Sequence, residues 1–168
     1  ETKRDTLSDI ENIIYKGSTN VEMTGNDGDN VIKSQKGNDM IFAGEGNDYI
    51  NSGSGHDTIS TGAGMDTIYR NSNQISASLE LTDIVTDFEN THDVIELDGI
   101  RFSDITISQG MFNYQDHTIL SISEEYLMIL ENTNFASVNQ DNFIEIKTTF
   151  TATVDKWQSD GMGAGMNE

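Results

Sequence analysis

The sequence has 168 residues, 29 acidic against 9 basic for a formal charge of −20, and 35% apolar residues. A chain this acidic repels phosphate backbones and anionic headgroups, so nucleic acid and lipid surfaces are poor partners without a bridging cation. Having no Cys rules out disulfides, thiol catalysis and thiolate metal sites, and no apolar run approaches the roughly 18 residues of a membrane span.

Taken in chain order, residues 1–24 read as a lead-in followed by a degenerate coil. The sequence is expected to begin inside a longer chain, and no N-terminal signal peptide is visible, so any export address is expected elsewhere. The main signal starts at Gly25. Nine of the 15 Gly lie between Gly25 and Gly64, and cutting the chain every nine residues gives GNDGDNVIK, SQKGNDMIF, AGEGNDYIN, SGSGHDTIS and TGAGMDTIY, ending at Tyr69. The fourth column is always Gly, the eighth is always Ile (Ile32, Ile41, Ile50, Ile59, Ile68), and the sixth is Asn30 and then Asp39, Asp48, Asp57 and Asp66. The frame extends backwards over KGSTNVEMT, residues 16–24, with Met23 in the apolar column and Val21 where Asp is expected.

One apolar residue every nine fits neither a helical period nor a hairpin, but it fits a tight turn followed by a very short strand. Each repeat is then half a turn of a solenoid. Glycine supplies the turn conformations and lets stacked backbones approach, while the Ile column points inward. Same-side loops fall 18 residues apart, which puts Asn30, Asp48 and Asp66 on one edge and Asp39 and Asp57 on the other. Strands stack about 4.8 Å apart, so each edge becomes a column of carboxylates. No Lys or Arg lies between Gly37 and Tyr69 to neutralise them. Such carboxylates raise each other's pKa or bind a cation, and an all-oxygen shell of carboxylates and turn carbonyls selects calcium.

GEGNDYI, GSGHDTI and GAGMDTI resemble the calcium-binding nonapeptide of RTX (repeats-in-toxin) proteins, G-G-x-G-x-D-x-U-x with U a large aliphatic. The resemblance implies an all-β fold, a parallel β-roll over residues 25–69 with Ca2+ held between loops of successive coils. It implies ligands at Asp39, Asp48, Asp57 and Asp66, with Asn30 replacing Asp in the first copy. Backbone carbonyls at Gly37, Gly44, Gly46, Gly53, Gly55, Gly62 and Gly64 complete the implied set. The second copy has Gln35 and Lys36 where the family prefers Gly, so the weakest sites are expected at the N-terminal end. DTLSDIENI, residues 5–13, is similar to the lead-in found before such rolls. The rival readings fail on the sequence. A flexible linker does not keep five Ile in register, and Asp27 and Asp29 lack the glycine and glutamate of an EF-hand loop.

From Arg70 the frame is lost. Apolar clusters at residues 84–85, 94–97, 105–107, 118–122, 126–130 and 143–146 predict strands of a β-rich capping segment over 70–146, which an open solenoid end requires. DIVTDFENTHDVIELDGI (83–100) and NFASVNQDNFIEI (134–146) resemble the segments that follow the roll in serralysin-type secreted proteins. That likeness implies a further calcium at Asp87 and Asp93, although residues 90–92 lack the family's Gly; solvated turn acids are the alternative. The tail, 147–168, reads as a flexible terminus that includes part of a C-terminal secretion signal.

No catalytic constellation is recognisable. There is no H-E-x-x-H, no G-x-S-x-G elbow and no G-x-G-x-x-G fingerprint, and His56, His92 and His117 read as structural or incidental. The expectation is a non-catalytic calcium-binding module of a secreted or cell-surface bacterial toxin, adhesin or exoenzyme, folding outside the cell after type I export. The alternative is a domain that grips an extracellular glycan or protein ligand.

Overall fold

The computed structural model describes residues 3–6 and 11–146, so the predicted secretion tail and, in the lead-in, residues 1–2 and 7–10 lie outside the described residues. Among the described residues there is no α-helix, and none long and apolar enough to cross a membrane. Fourteen strands follow one another: β1 Lys3–Thr6, β2 Asn12–Ile14, β3 Val21–Thr24, β4 Val31–Lys33, β5 Met40–Phe42, β6 Tyr49–Asn51, β7 Thr58–Ser60, β8 Thr67–Asn71, β9 Ile84–Val85, β10 Val94–Asp98, β11 Ile105–Phe112, β12 Gln115–Ile122, β13 Glu125–Leu130 and β14 Phe143–Ile146.

Each nonapeptide makes one short strand, centred on the Ile in β4–β7 and running on to Asn71 in β8, and successive strands alternate between two sheets. The first sheet runs β1-β3-β5-β7-β9-β13-β12-β11 and the second β14-β10-β8-β6-β4-β2. Pairing is parallel throughout the roll, with Ile13, Ile32, Ile50, Ile68, Ile95 and Phe143 in register in one sheet. Met23, Ile41, Ile59, Val85 and Leu130 stack in the other. The fold is therefore an all-β parallel roll. Its five repeat isoleucines are fully buried and join Leu120, Leu127, Met128 and Leu130 of the capping segment in one core.

The stacking does not stop with the sequence period. Although the nine-residue frame ends at Tyr69, β9, β10 and β14 continue both sheets in parallel, and only β11–β13 turn antiparallel. Strands β11 and β12 are longer than the apolar clusters predicted, eight residues each. Half of their added residues are exposed, Gln109, Met111, Gln115 and Asp116, and the two strands are joined by Asn113 and Tyr114, both at positive φ (49° and 64°). That is the backbone of a two-residue hairpin turn, here without the glycine that usually announces one.

Candidate metal centre

The turn before each strand places its sixth-position side chain inside the roll. Asp39, Asp48, Asp57 and Asp66 are no more than 2% exposed. In each, Oδ1 accepts the backbone N–H of the residue 18 positions earlier: Val21 N to Asp39 (2.9 Å), Asn30 N to Asp48 (2.7 Å), Asp39 N to Asp57 (2.8 Å) and Asp48 N to Asp66 (2.8 Å). The column continues past the repeats, where Asp83 Oδ1 accepts from Asp57 N (2.8 Å) and Asp93 Oδ1 from Asp66 N (3.1 Å). One edge therefore carries Asp39, Asp57 and Asp83, and the other Asn30, Asp48, Asp66 and Asp93.

One oxygen of each carboxylate is thus fixed by the backbone; the second of Asp39 accepts from Ser34 Oγ, that of Asp83 is held by Arg70 and Ser52 and that of Asp93 accepts from Glu89 N, but in the three between them it is left over. Oδ2 of Asp48, Asp57 and Asp66 is buried without a hydrogen-bond donor. A buried acceptor without a partner is costly, and a charged one more so. Burial pushes the Asp48 carboxyl up to about 6, with the charge of Asp29 adding to it and the Asn30 N–H opposing it. Burial and then the charge of Asp83 push Asp57 up to about 7. Burial, aided by the charges of Asp93, Asp48 and Asp87, does the same to Asp66, also to about 7. Asp93 is raised by burial as well.

The glycine turns complete the geometry. The seven glycines predicted from position 37 to 64 all adopt positive φ. At Gly62 and Gly64 a Cβ would overlap the carbonyl oxygens of Gly44 and Gly46 in the coil before, so only glycine lets the loops stack. Stacked loops are stitched by Ser54 N to Gln35 O (2.9 Å) and Ala63 N to Gly44 O (3.0 Å). Among the described residues no three acidic or histidine side chains converge on one point. A bound ion would therefore take one or two carboxylates and fill its shell with loop carbonyls. Buried, unpartnered anionic oxygens beside rows of carbonyls form a hard-oxygen donor set, which fits Ca2+.

Asp87 and Asp93, predicted from the segment after the roll, are brought together around Thr61. Its hydroxyl lies 3.1 Å from Asp87 Oδ1 and 3.4 Å from Asp93 Oδ2, and Asp87 also accepts from Thr61 N (2.8 Å), Gly62 N (3.2 Å) and Ser60 Oγ (2.6 Å). Asn30 closes the opposite end of that edge, its amide bonded to Asn26 Oδ1 and the carbonyl of Gly28. His56 lies on the loop, Nδ1 bonded to Thr82 O (2.6 Å); His92 is exposed beside Glu89; His117 is buried against Phe112.

Three features escaped the sequence reading. Asp83 occupies the place of a sixth-position Asp with no nonapeptide around it. Arg70, fully buried, ion-pairs with Asp83 inside the roll. The fifth column forms a second, outer ladder in the opposite sense: Asn20 Oδ1 accepts from Asn38 N (2.9 Å), Asn38 Oδ1 from His56 N (3.2 Å), Asp29 Oδ1 from Asn47 N (2.7 Å) and Asn47 Oδ1 from Met65 N (2.9 Å). The recurrence of Asn and Asp in that column was the available signal.

Comparison with known proteins agrees with this geometry. The family model of the RTX calcium-binding nonapeptide repeat matches residues 24–59 and 52–72, with 4 copies. No curated protein sequence matches the chain. The fold is similar to the solution structure of the AlgE6R3 subunit from the Azotobacter vinelandii mannuronan C5-epimerase, at 21% identity and a TM-score of 0.64, covering 97% of this chain and 96% of that chain. It is also similar to the AlgE6R2 subunit of that epimerase, at 18% identity and a TM-score of 0.60, covering 84% of this chain and 97% of that one. At such identities the likeness is one of fold. The matched repeats and the buried carboxylate ladders together identify residues 24–72 as RTX calcium-binding nonapeptide repeats, wound as a parallel β-roll whose ion is Ca2+.

Proposed function

We propose that this chain is a non-catalytic module whose roll, residues 25–69, folds when calcium fills its edges, within a bacterial protein that leaves the cell by type I export and folds outside it. The lead-in (1–24) starts the winding, the capping region (70–146) closes the core, and the tail (147–168) belongs to the export signal. The observation that carries the reading is the set of buried Oδ2 atoms on Asp48, Asp57 and Asp66 that no donor satisfies. Bound calcium supplies the positive charge that these oxygens lack. Asp39, Asp48, Asp57 and Asp66, with Asn30 at the weak N-terminal end, hold the ions beside the carbonyls of Gly37, Gly44, Gly46, Gly53, Gly55, Gly62 and Gly64. Asp87 and Asp93 hold a further ion at the end of the roll.

Without metal, ionised carboxylates at strand spacing repel one another, and a glycine-rich chain loses much entropy on ordering. With metal, binding free energy becomes folding free energy. Oxygen-cage modules of extracellular proteins bind in the range of roughly 10⁻⁴ to 10⁻³ M, which keeps such a roll loose at cytosolic calcium and folds it outside. The solved neighbours are subunits of an epimerase, which supports reading this chain as a companion to another domain of a secreted protein rather than as an enzyme. A calcium titration followed by far-UV circular dichroism tests the switch. A strand signal that grows with calcium supports it, and one equally strong in excess chelator overturns it.

One observation favours a second reading, in which the cap grips an extracellular glycan. A cleft of about 370 Å³ lies between Gln109, Asp116 and His117 on the hairpin and the polar turn that ends at Phe135. Glycan-array binding that chelation abolishes would favour it over a purely structural role.

A further inference from the structure

The residue that follows each repeat Tyr, Asn, Ser, Lys or Phe, the first of the nonapeptide, points into the roll. In one sheet this interior column reads Ser34, Ser52, Arg70 and then Leu97; in the other it reads Gly25, Ala43 and Thr61 before Asp87. It is small at the start of all five repeats, and at the next position of the frame, just past the last repeat, Arg70 is buried completely.

Arg70 touches the carboxylate edge at one place. Its Nη2 ion-pairs with Asp83 Oδ2, and its Nη1 donates to Ser52 Oγ (3.3 Å), which lies 3.3 Å from the same Asp83 oxygen. Asp83 Oδ1 in turn accepts the N–H of Asp57, so the guanidinium is held at the rung where Asp57 and Asp83 succeed one another. On that edge the Gly53 carbonyl also has a protein donor, the Gln74 amide at 2.5 Å. The corresponding rung of the other edge is built differently: Asp87 and Asp93 gather around Thr61, Asp93 accepts the Asp66 N–H, and the donors to both are backbone N–H groups and hydroxyls.

We propose that Arg70 is a built-in counter-cation that closes the last rung of the Asp39–Asp57–Asp83 edge without metal, leaving the matching Asp66–Asp93 rung as the one that depends on calcium. The inference rests on the calcium reading for the second half of that contrast. A buried guanidinium with one nitrogen on a carboxylate and another on a hydroxyl has a fixed charge, cannot be stripped by chelators and is costly to separate from its partner. The C-terminal coil would then keep one edge wound when the ions leave, and rewinding would propagate from it toward the N-terminus.

Amide hydrogen exchange on the whole chain in excess chelator tests this, comparing the Asp57 N–H, which is bonded to Asp83, with the Asp66 N–H, which is bonded to Asp93. We expect the Asp57 amide to exchange at least about tenfold more slowly than the Asp66 amide, and calcium to remove the difference by protecting both. Arg70→Ser, which restores the small residue of the column, and Asp83→Asn, which keeps the interior volume, should each abolish the contrast in chelator. Equal exchange of the two amides in the unaltered chain, or a contrast that survives Asp83→Asn, would overturn the assignment whether or not Arg70→Ser folds. Failure of the calcium reading is distinguishable from this: the unaltered chain would then bind no calcium in a direct titration, while the contrast between the edges persisted with and without the ion.

Discussion

The roll and the antiparallel strands β11–β13 share one apolar core but reach it by different means. Strands β4–β7 have three residues each and bury one side chain apiece, whereas β13 buries four in a row, Leu127–Leu130, and β12 buries His117–Leu120. A fully buried Ile contributes about 1.5–3 kcal/mol, well short of the cost of ordering the nine residues that deliver it at about 1 kcal/mol or more each. The roll's backbone ladder and its ions have to supply the rest, while the hairpins draw on side-chain burial and local pairing. On the proposed reading the same core is metal-dependent on the side of the roll and largely metal-independent on the side of the hairpins.

Removing calcium should break the comparison most sharply. In chelator, amides of β4–β6 are expected to lose protection by about a hundredfold or more, against less than about tenfold for β11–β13, measured by hydrogen exchange. Equal losses would show that the two regions unfold as one unit. Next in size are truncations of the two kinds of core. Leu120→Ala should cost about 2–5 kcal/mol in denaturant unfolding with or without the ion, whereas the similar cost of Ile50→Ala should appear only with calcium bound. The carboxylate columns sharpen the contrast within the roll. Asp48→Ala is expected to raise the calcium midpoint about tenfold and Asn30→Ala by no more than about threefold, read by circular dichroism, since only the first removes a charged ligand.

The pH dependence is the gentlest test, and its sign follows from the raised carboxyls. Folding without metal moves Asp48 from 3.8 to about 6, and Asp57 and Asp66 from 3.8 to about 7. The metal-free roll therefore holds more protons than the unfolded chain. This contribution to its stability is fully present below pH 3.8 and is lost as the pH rises through 6 to 7. Calcium competes with those protons, so its midpoint should fall as the pH rises across the same window and level off above it. Titrations on either side of neutrality check this, and a midpoint independent of pH would show that the carboxyls are already ionised before the ion arrives.

The sequence by itself determined the roll. A strict period of nine, with Gly, Asp and Ile each in its own column, admits only stacked turns and short strands, because each column imposes the same local geometry in every copy. It therefore placed Asp48 and Asp66 on one edge and Asp39 and Asp57 on the other, and brought Asp87 and Asp93 forward through their likeness to a known segment. What lay beyond the period was decided by tertiary structure. Asp83 joins the column as its last carboxylate only because β9 stacks on β7, and nothing within a few residues of it marks that role. Arg70 reads as an ordinary charge at the end of a repeat. Only the continuation of β8 into β10 turns it inward and seats it against Asp83, a contact across 13 positions of aperiodic chain that local residue pattern cannot encode.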